Sequence, residues 1–229
     1  LLLLHALRIA RRDRVHAVHI GHLWLGPIGL ALKRLLKIPY VIYLHGGDMA
    51  PYLRFRVVRA VVRTIVRHAD VCVVNSAYTR RDYEAMGIHP PRVELLTMSV
   101  ALERFRPGLD PREIRARYRL DGQRVILTVG RLIERKGHDV VIRALSRIGG
   151  SLGSMRYVIA GRGPEEQRLR ALARDLGCGE QVKFIGHVPD EDLPHLYAAC
   201  DVFVMPSRAL DRRDGVEGFG IAFVEAGAC

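Results

Sequence analysis

Apolar residues follow two different periods along the chain. Short runs that are almost entirely apolar predict buried strands, and longer stretches with apolar residues every three or four positions predict amphipathic helices. The predicted strands are 15–20, 40–44, 70–75, 93–98, 125–129, 157–160, 182–185 and 201–205. The predicted helices include 28–36, 52–68, 77–86, 140–148 and 165–176. Near-continuous apolar strands that alternate with helices favour an α/β fold built on parallel sheets.

One stretch interrupts this alternation and predicts a domain boundary. Residues 107–123 combine Pro107, Gly108, Pro111 and Gly122 with many charged side chains, a composition typical of a linker. The sequence therefore predicts an N-terminal domain over residues 1–106 and a C-terminal domain over residues 124–229.

A loop that follows the strand at 125–129 carries candidate phosphate ligands. Gly130 and Arg131 come directly after the strand, and Lys136 lies five residues further on. Arginine offers a planar fork of donors and lysine a mobile point charge, and both suit a diphosphate. Ligands of open parallel sheets bind at the carboxyl ends of the strands, where this loop begins.

Two glutamates near the end of the chain form the second candidate site. Glu217 and Glu225 bracket a glycine-rich turn that is predicted to open a helix. The free N–H groups at a helix N-terminus attract phosphate, and a carboxylate can accept hydrogen bonds from two sugar hydroxyls. Backbone donors for a pyrophosphate, combined with carboxylates for hydroxyls, predict a nucleotide-sugar site.

Several segments, in this order and spacing, resemble one enzyme family. They are "YLHGGD", "ADVCVVNSAYTRRDYEAMG", "LERFRPG", "VGRLIERKG", "VIAGRGPEEQRLR", "VKFIGHVPDEDLPHLYAACDVFVMPS" and "EGFGIAFVE". The chain resembles the retaining glycosyltransferases of family four. The resemblance implies a GT-B fold, in which two Rossmann-like parallel-sheet domains face a cleft. Residues 1–106 would be part of the acceptor-side domain and residues 124–229 part of the donor-binding domain, both incomplete.

The resemblance also implies roles for particular residues. Arg131 and Lys136 would neutralise the departing diphosphate, Glu217 would contact the donor sugar, Glu225 would bind the ribose, and His45 would face the transferred sugar. Further donor contacts fall on Gly130, Gly161, Gly163, Val188, Phe219, Gly220 and Ile221, those at Val188, Phe219, Gly220 and Ile221 through the backbone. The ordinary alternatives are solvated surface cations, helix-capping acids and simple glycine turns.

One loop departs from the family pattern. Where the family often has Asn-Gly-Val-Asp, this chain has Met98, Ser99, Val100 and Ala101. The contacts that this loop makes in the family are therefore not expected here. Ser76, in the preceding strand-end segment, is interpreted as a helix N-cap.

The excess of positive charge predicts an anionic partner. The formal net charge is +12, with 36 Lys and Arg against 24 Asp and Glu. In the helix predicted at 52–68, Arg56, Arg59, Arg63 and Arg67 fall on one stripe. We interpret this helix as packing on the sheet with a solvated arginine face, and binding to anionic lipid is the alternative. The sequence lacks the aromatic-interleaved basic platform typical of nucleic-acid binding.

Together these features predict a metal-independent, cofactor-free hexosyltransferase that uses GDP-mannose or UDP-glucose, with a weak preference for GDP-mannose. The acceptor would be a hydroxyl group in glycan or glycolipid biosynthesis. We expect a cytoplasmic enzyme, peripheral on the inner face of the plasma membrane, in part because four scattered cysteines fit a reducing compartment. The alternatives are a GT-B-fold sugar-nucleotide epimerase, a non-catalytic basic membrane-binding module, and a fragment of low activity.

Overall fold

A computed structural model describes residues 1–45, 52–53, 55–148, 154–208 and 219–229. The chain divides into two compact units, one built on Leu1–Met98 and the other on Ser99–Arg208 with Gly220–Cys229. Each unit contains a four-stranded sheet in which every neighbouring pair of strands is parallel. The predicted α/β class with two parallel sheets is confirmed.

The first unit alternates helices and strands along the chain. The helices are α1 (Leu2–Arg12), α2 (Gly26–Leu36), α3 (Arg56–His68) and α4 (Ala77–Ala85), and the strands are β1 (Val18–Ile20), β2 (Tyr40–Leu44), β3 (Val71–Val74) and β4 (Val93–Leu95). The strands lie in the order β1-β2-β3-β4. Along β2, Tyr40, Ile42 and Leu44 are buried and the intervening residues are half-buried, because one face of the sheet packs on the core.

Helix α3 buries only part of its apolar side. Val62, Ile65 and Val66 join the core of the first unit. Val57 is 76% exposed and Val61 is 47% exposed, so the apolar stripe of this helix is wider than the sheet can cover. The helix therefore packs on the sheet as interpreted from the sequence, and it also presents valines to solvent.

The predicted N-cap of α4 is confirmed. The Ser76 side chain accepts a hydrogen bond from the backbone N–H of Thr79 at 3.0 Å. This bond satisfies one of the backbone donors that a helix N-terminus leaves unpaired.

The second unit has the strand order β7-β6-β5-β8. Its strands are β5 (Arg124–Val129), β6 (Met155–Ala160), β7 (Val182–Gly186) and β8 (Val202–Phe203), and its helices are α5 (Arg112–Arg117), α6 (His138–Ile148), α7 (Glu166–Asp175), α8 (Leu193–Ala198) and α9 (Ile221–Ala228). Leu127 and Val158 join one buried cluster and Tyr157 and Ile159 another, so helices cover both faces of the central strands.

The structure divides the chain at Met98 and Ser99, earlier than the linker predicted at 107–123. Phe105, Ile114 and Leu120 are buried in the core of the second unit. Arg115 also donates hydrogen bonds to the carbonyl oxygens of Ala199, Leu120 and Gln123. The charged, proline-containing stretch is therefore part of the second unit, and its helix α5 is too short to give a clear periodic signal.

Candidate donor-binding site

Three adjacent strands of the second sheet reach glycines at their carboxyl ends, namely Gly130, Gly161 and Gly186. The Gly130 N–H donates to the Ala160 carbonyl at 2.9 Å, and the Gly161 N–H donates to the Gly186 carbonyl at 2.6 Å. A Cβ on Gly161 would lie 1.9 Å from the carbonyl oxygen of Gly130. Backbone thus packs directly on backbone at this edge of the sheet.

The loop of residues 130–137, called the phosphate loop below, is tied to the turn after β6. The Leu132 N–H donates to the Arg162 carbonyl at 3.0 Å, and the Glu165 N–H donates to the Leu132 carbonyl at 3.1 Å. A Cβ on Gly163 would lie 2.3 Å from the Leu132 carbonyl oxygen, so this close approach requires glycine. The structure therefore places Gly161 and Gly163 beside the phosphate loop.

The two predicted phosphate ligands occupy different positions on this loop. Arg131 is exposed at the end of β5, and Lys136 is half-buried. The Lys136 ammonium lies 3.3 Å from the Met205 sulfur, and a Cβ on Gly130 would be 3.8 Å from the ammonium nitrogen. Lys136 thus folds back over the carboxyl end of β5, where a ligand of a parallel sheet is expected.

Contacts beneath the phosphate loop hold its shape, and the sequence did not identify them. Arg208 donates to the Asp139 carboxylate at 2.9 Å and to the Glu134 carbonyl at 3.2 Å. His138 is 2% exposed, and its Nε2 lies 3.1 Å from the Arg131 carbonyl oxygen. A histidine directly after the Lys-Gly pair is the signal that could have indicated this support.

A serine four residues after β8 is a further candidate ligand that the sequence did not suggest. The Ser207 hydroxyl is buried and has no hydrogen-bond partner within the described parts of the chain. Buried hydroxyls are normally paired, so an unpaired one beside the phosphate loop is suited to a ligand oxygen.

Helix α9 carries the second predicted glutamate. Gly220 precedes the helix with φ of 82°, and Ile221 is its first residue. One oxygen of Glu225 accepts a hydrogen bond from the Tyr197 hydroxyl at 2.7 Å. Burial raises the pKa of Tyr197, and the bond to Glu225 raises it further. Glu225 is therefore held from within the second unit, while Glu217 lies outside the described residues; the sugar and ribose roles of both stay predictions.

Two other predicted residues have clear positions. Val188 is 4% exposed with its side chain in the core of the second unit, so its backbone alone can face a ligand. His45 follows β2 in the first unit, is exposed, and its Nε2 lies 3.1 Å from the Gly21 carbonyl oxygen. Because a carbonyl only accepts, Nε2 carries the proton that is donated to Gly21.

The described residues contain no group of three or more His, Cys, Asp or Glu side chains placed to hold a metal ion. Metal independence and the lack of a cofactor stay predictions. The cations and backbone donors at this edge are the groups that could bind a diphosphate.

Comparison with known proteins relates the chain to two family models and to several characterised relatives. The model of the "Glycosyl transferases group 1" family matches residues 110–229, and that of the "Glycosyl transferase 4-like domain" matches residues 2–98. A GDP-mannose-dependent alpha-(1-6)-phosphatidylinositol monomannoside mannosyltransferase of Mycobacterium tuberculosis is 36% identical over 95% of this chain and 58% of its own length. A D-inositol 3-phosphate glycosyltransferase of Acidothermus cellulolyticus is 33% identical over 95% of this chain and 50% of its own length. The chain thus spans between half and three fifths of these relatives.

Solved structures agree on the fold. Anabaena HepE, in complex with UDP-glucose, superposes with a TM-score of 0.81 at 21% identity, over 100% of this chain and 61% of that one. Sucrose-phosphate synthase of Thermosynechococcus elongatus gives a TM-score of 0.79 at 22% identity, over 100% of this chain and 57% of that one. These likenesses place the two parallel-sheet units in the GT-B architecture. With its family models and curated relatives, the chain belongs to the glycosyl transferases group 1 family.

Proposed function

We propose that this protein is a retaining mannosyltransferase that moves mannose from GDP-mannose to a hydroxyl group of a phosphatidylinositol-mannoside type of glycolipid. The observation that carries the proposal is the 36% identity, over 95% of the chain, to a mycobacterial mannosyltransferase with that donor and acceptor in its name. UDP-glucose is the second candidate donor, supported by the fold likeness to HepE. At 21% identity that likeness says little about the base.

The chemistry proposed for the site is charge stabilisation of the leaving group. Arg131 and Lys136 lie at the strand end where GDP would depart, and cations placed in advance stabilise the charge that develops on its phosphate. Neither predicted glutamate is assigned as a nucleophile, because both are assigned to hydroxyl binding. In this proposal the departing phosphate itself takes the proton of the incoming acceptor hydroxyl, which keeps the reaction on one face of the sugar.

Calorimetric titration of the chain with GDP, UDP and ADP tests the donor proposal. We expect GDP to bind at least about tenfold more tightly than the other two, and Glu225→Ala to weaken GDP binding by about tenfold through loss of charge-assisted bonds to the ribose. Tighter binding of UDP would shift the donor to the UDP-sugar class. Binding of none of the three by a folded chain would contradict the donor site altogether.

The surface of the first unit supports a lipid-borne acceptor. Helices α1, α2 and α3 contain no Asp or Glu, and they carry nine Arg and Lys residues. These three helices are consecutive neighbours, since α1 packs on α2 and α2 on α3. An anionic lipid surface attracts such cations, each contributing about 1 kcal/mol near the membrane.

The same helices expose apolar side chains between the cations. A groove of about 580 Å³ runs between α2 and α3, lined by Leu30, Leu35 and Val61 with Arg34 at its side. Leu35 is 61% exposed and Val57, near the start of α3, is 76% exposed. No helix in the described parts of the chain is long and apolar enough to span a bilayer. From the cations and the exposed apolar side chains of these helices we propose that α1–α3 lie on an anionic bilayer.

Charge reversal on this face tests the membrane proposal. We expect Arg34→Glu with Arg67→Glu to lower the affinity for vesicles containing phosphatidylinositol by at least about 30-fold at low salt, because two attractive charges become repulsive. Arg143→Glu with Arg147→Glu, on exposed positions of α6, makes the same change in net charge away from this face. A vesicle sedimentation assay measures both affinities. If both double variants lose the same affinity, net charge alone explains the binding, and the proposal of a specific lipid-binding face is contradicted.

A further inference from the structure

A buried histidine lies directly beneath the phosphate loop. His138 is the first residue of α6 and is only 2% exposed, among the residues that pack around Leu132 and Tyr157. Few polar side chains are buried in this protein's described core, and those that are buried need hydrogen-bond partners. The partners of His138 connect it to the loop on one side and to the sheet on the other.

Toward the loop, His138 holds the peptide that follows Arg131. Its Nε2 lies 3.1 Å from the Arg131 carbonyl oxygen, which accepts and cannot donate, so Nε2 carries the proton. The same carbonyl also accepts from the Ile133 N–H at 3.0 Å. Two donors on one carbonyl oxygen fix the plane of that peptide, and with it the direction in which the Arg131 side chain leaves the strand end.

Toward the sheet, His138 is held by a chain of hydroxyls. Its Nδ1 lies 3.3 Å from the Tyr157 hydroxyl, which lies 2.9 Å from the Thr128 hydroxyl. Thr128 in turn donates to the Val204 carbonyl. These contacts connect the end of β8, β5 and β6 to the side of the imidazole that faces the sheet.

The electrostatic surroundings keep the imidazole neutral. Burial lowers the pKa of His138 and the Lys136 ammonium lowers it as well. The hydrogen bond to the Arg131 carbonyl and the Asp139 carboxylate act in the opposite direction, and the net shift of the pKa is downward. A neutral ring with its proton on Nε2 donates to the Arg131 carbonyl. His138 therefore supplies one directed hydrogen bond to the loop and adds no charge of its own.

From these contacts we infer that His138 is a positioning residue for the donor site, acting through the Arg131 peptide to aim the guanidinium at the diphosphate. This inference rests on the proposed nucleotide-sugar site. It adds His138 as a residue that fixes the conformation of the phosphate loop. An ordinary core histidine would affect folding; a positioning residue affects the diphosphate contact made by Arg131.

Two amide variants, His138→Gln and His138→Asn, distinguish a role in positioning the Arg131 peptide from a role in folding. In His138→Gln the amide nitrogen reaches approximately the position of Nε2 and can still donate to the Arg131 carbonyl. In His138→Asn the shorter amide reaches only the region of Nδ1. We expect His138→Asn to weaken GDP binding by about tenfold, since a buried carbonyl loses a directed donor, and His138→Gln to stay within about threefold of the parent chain.

A double-mutant cycle with Arg131→Ala tests whether the effect of His138 on GDP affinity depends on the Arg131 guanidinium, which a role in core packing alone would not require. If His138 acts through Arg131, His138→Asn should change GDP affinity by less than about twofold once the guanidinium is gone. A full tenfold effect in both backgrounds would overturn the inference, as would unchanged binding by a folded His138→Asn. Should His138→Asn not fold, the His138→Gln chain still decides, because a folded His138→Gln that loses GDP binding tenfold also overturns it. Absence of GDP, UDP and ADP binding by the parent chain would instead count against the proposed function.

Discussion

Replacing Lys136 with alanine is expected to weaken GDP binding by about 30-fold, the loss of a charge-assisted contact to phosphate. The ammonium lies over the carboxyl end of β5, close to Gly130 and to the Met205 sulfur. A diphosphate oxygen is a charged acceptor and would form a strong, charge-assisted bond with this ammonium. Titration calorimetry of the parent chain and the variant measures the change.

The matched control for this prediction is Arg143→Ala, which removes one exposed cation from the same unit on α6. It changes the net charge by the same amount, but Arg143 lies on α6 and not in the phosphate loop. We therefore expect the GDP affinity to change by less than about twofold. Salt adds a second check, because the difference between the parent and Lys136→Ala should shrink as ionic strength rises. Equal affinity of Lys136→Ala and the parent would show that Lys136 does not contact the diphosphate.

The second large effect is expected from Gly161→Ala, which should destabilise the second unit by about 3–5 kcal/mol. The added Cβ would lie 1.9 Å from the Gly130 carbonyl oxygen, a backbone atom that cannot rotate away. The φ of Gly161 is 141°, a region that side chains disfavour, which adds strain to the clash. Domain stabilities are about 5–15 kcal/mol, so the loss would be a large share of the total.

Gly177→Ala separates the clash from the backbone strain. Gly177 also has a positive φ, 69°, but nothing lies within 4 Å of the position that its Cβ would take. We expect this control to cost about 1 kcal/mol. Urea unfolding followed by circular dichroism measures both variants. Similar losses for Gly161→Ala and Gly177→Ala would mean that β5 and β6 do not approach as closely as described.

The sequence predicted the elements whose residues repeat a clear period. Strands β2 and β5 are continuous apolar runs, and helices α2 and α4 start and end within two residues of the prediction. It did not predict α5, which is six residues long and is stabilised by contacts distant in the chain, such as Arg115 with the Ala199 carbonyl. The local pattern of apolar residues carries no information about such distant partners. For this reason the sequence placed the domain boundary at 107–123, later than the division at Met98 and Ser99.

The candidate site shows the same division. Arg131, Lys136 and the glycines could be selected from sequence because strand ends of a parallel sheet meet at one edge. Beneath the loop only His138 has a signal in the sequence, its position after the Lys-Gly pair. Its neighbours Tyr157 and Thr128 come from two other elements and each looks like an ordinary core position. Glu225 was selected as a ribose ligand, and its bond to Tyr197 could be found only in three dimensions.

The ties between the phosphate loop and the turn after β6 have a thermodynamic consequence. Leu132 is bonded at both its N–H and its carbonyl, and Arg131 is bonded at its carbonyl, in each case to groups of the chain itself. The conformational entropy of these backbone groups is therefore lost when the chain folds and not when the nucleotide arrives. Such preorganisation leaves, within the phosphate loop, chiefly the ends of the Arg131 and Lys136 side chains to be ordered on binding, so this loop should capture the diphosphate with little entropic penalty.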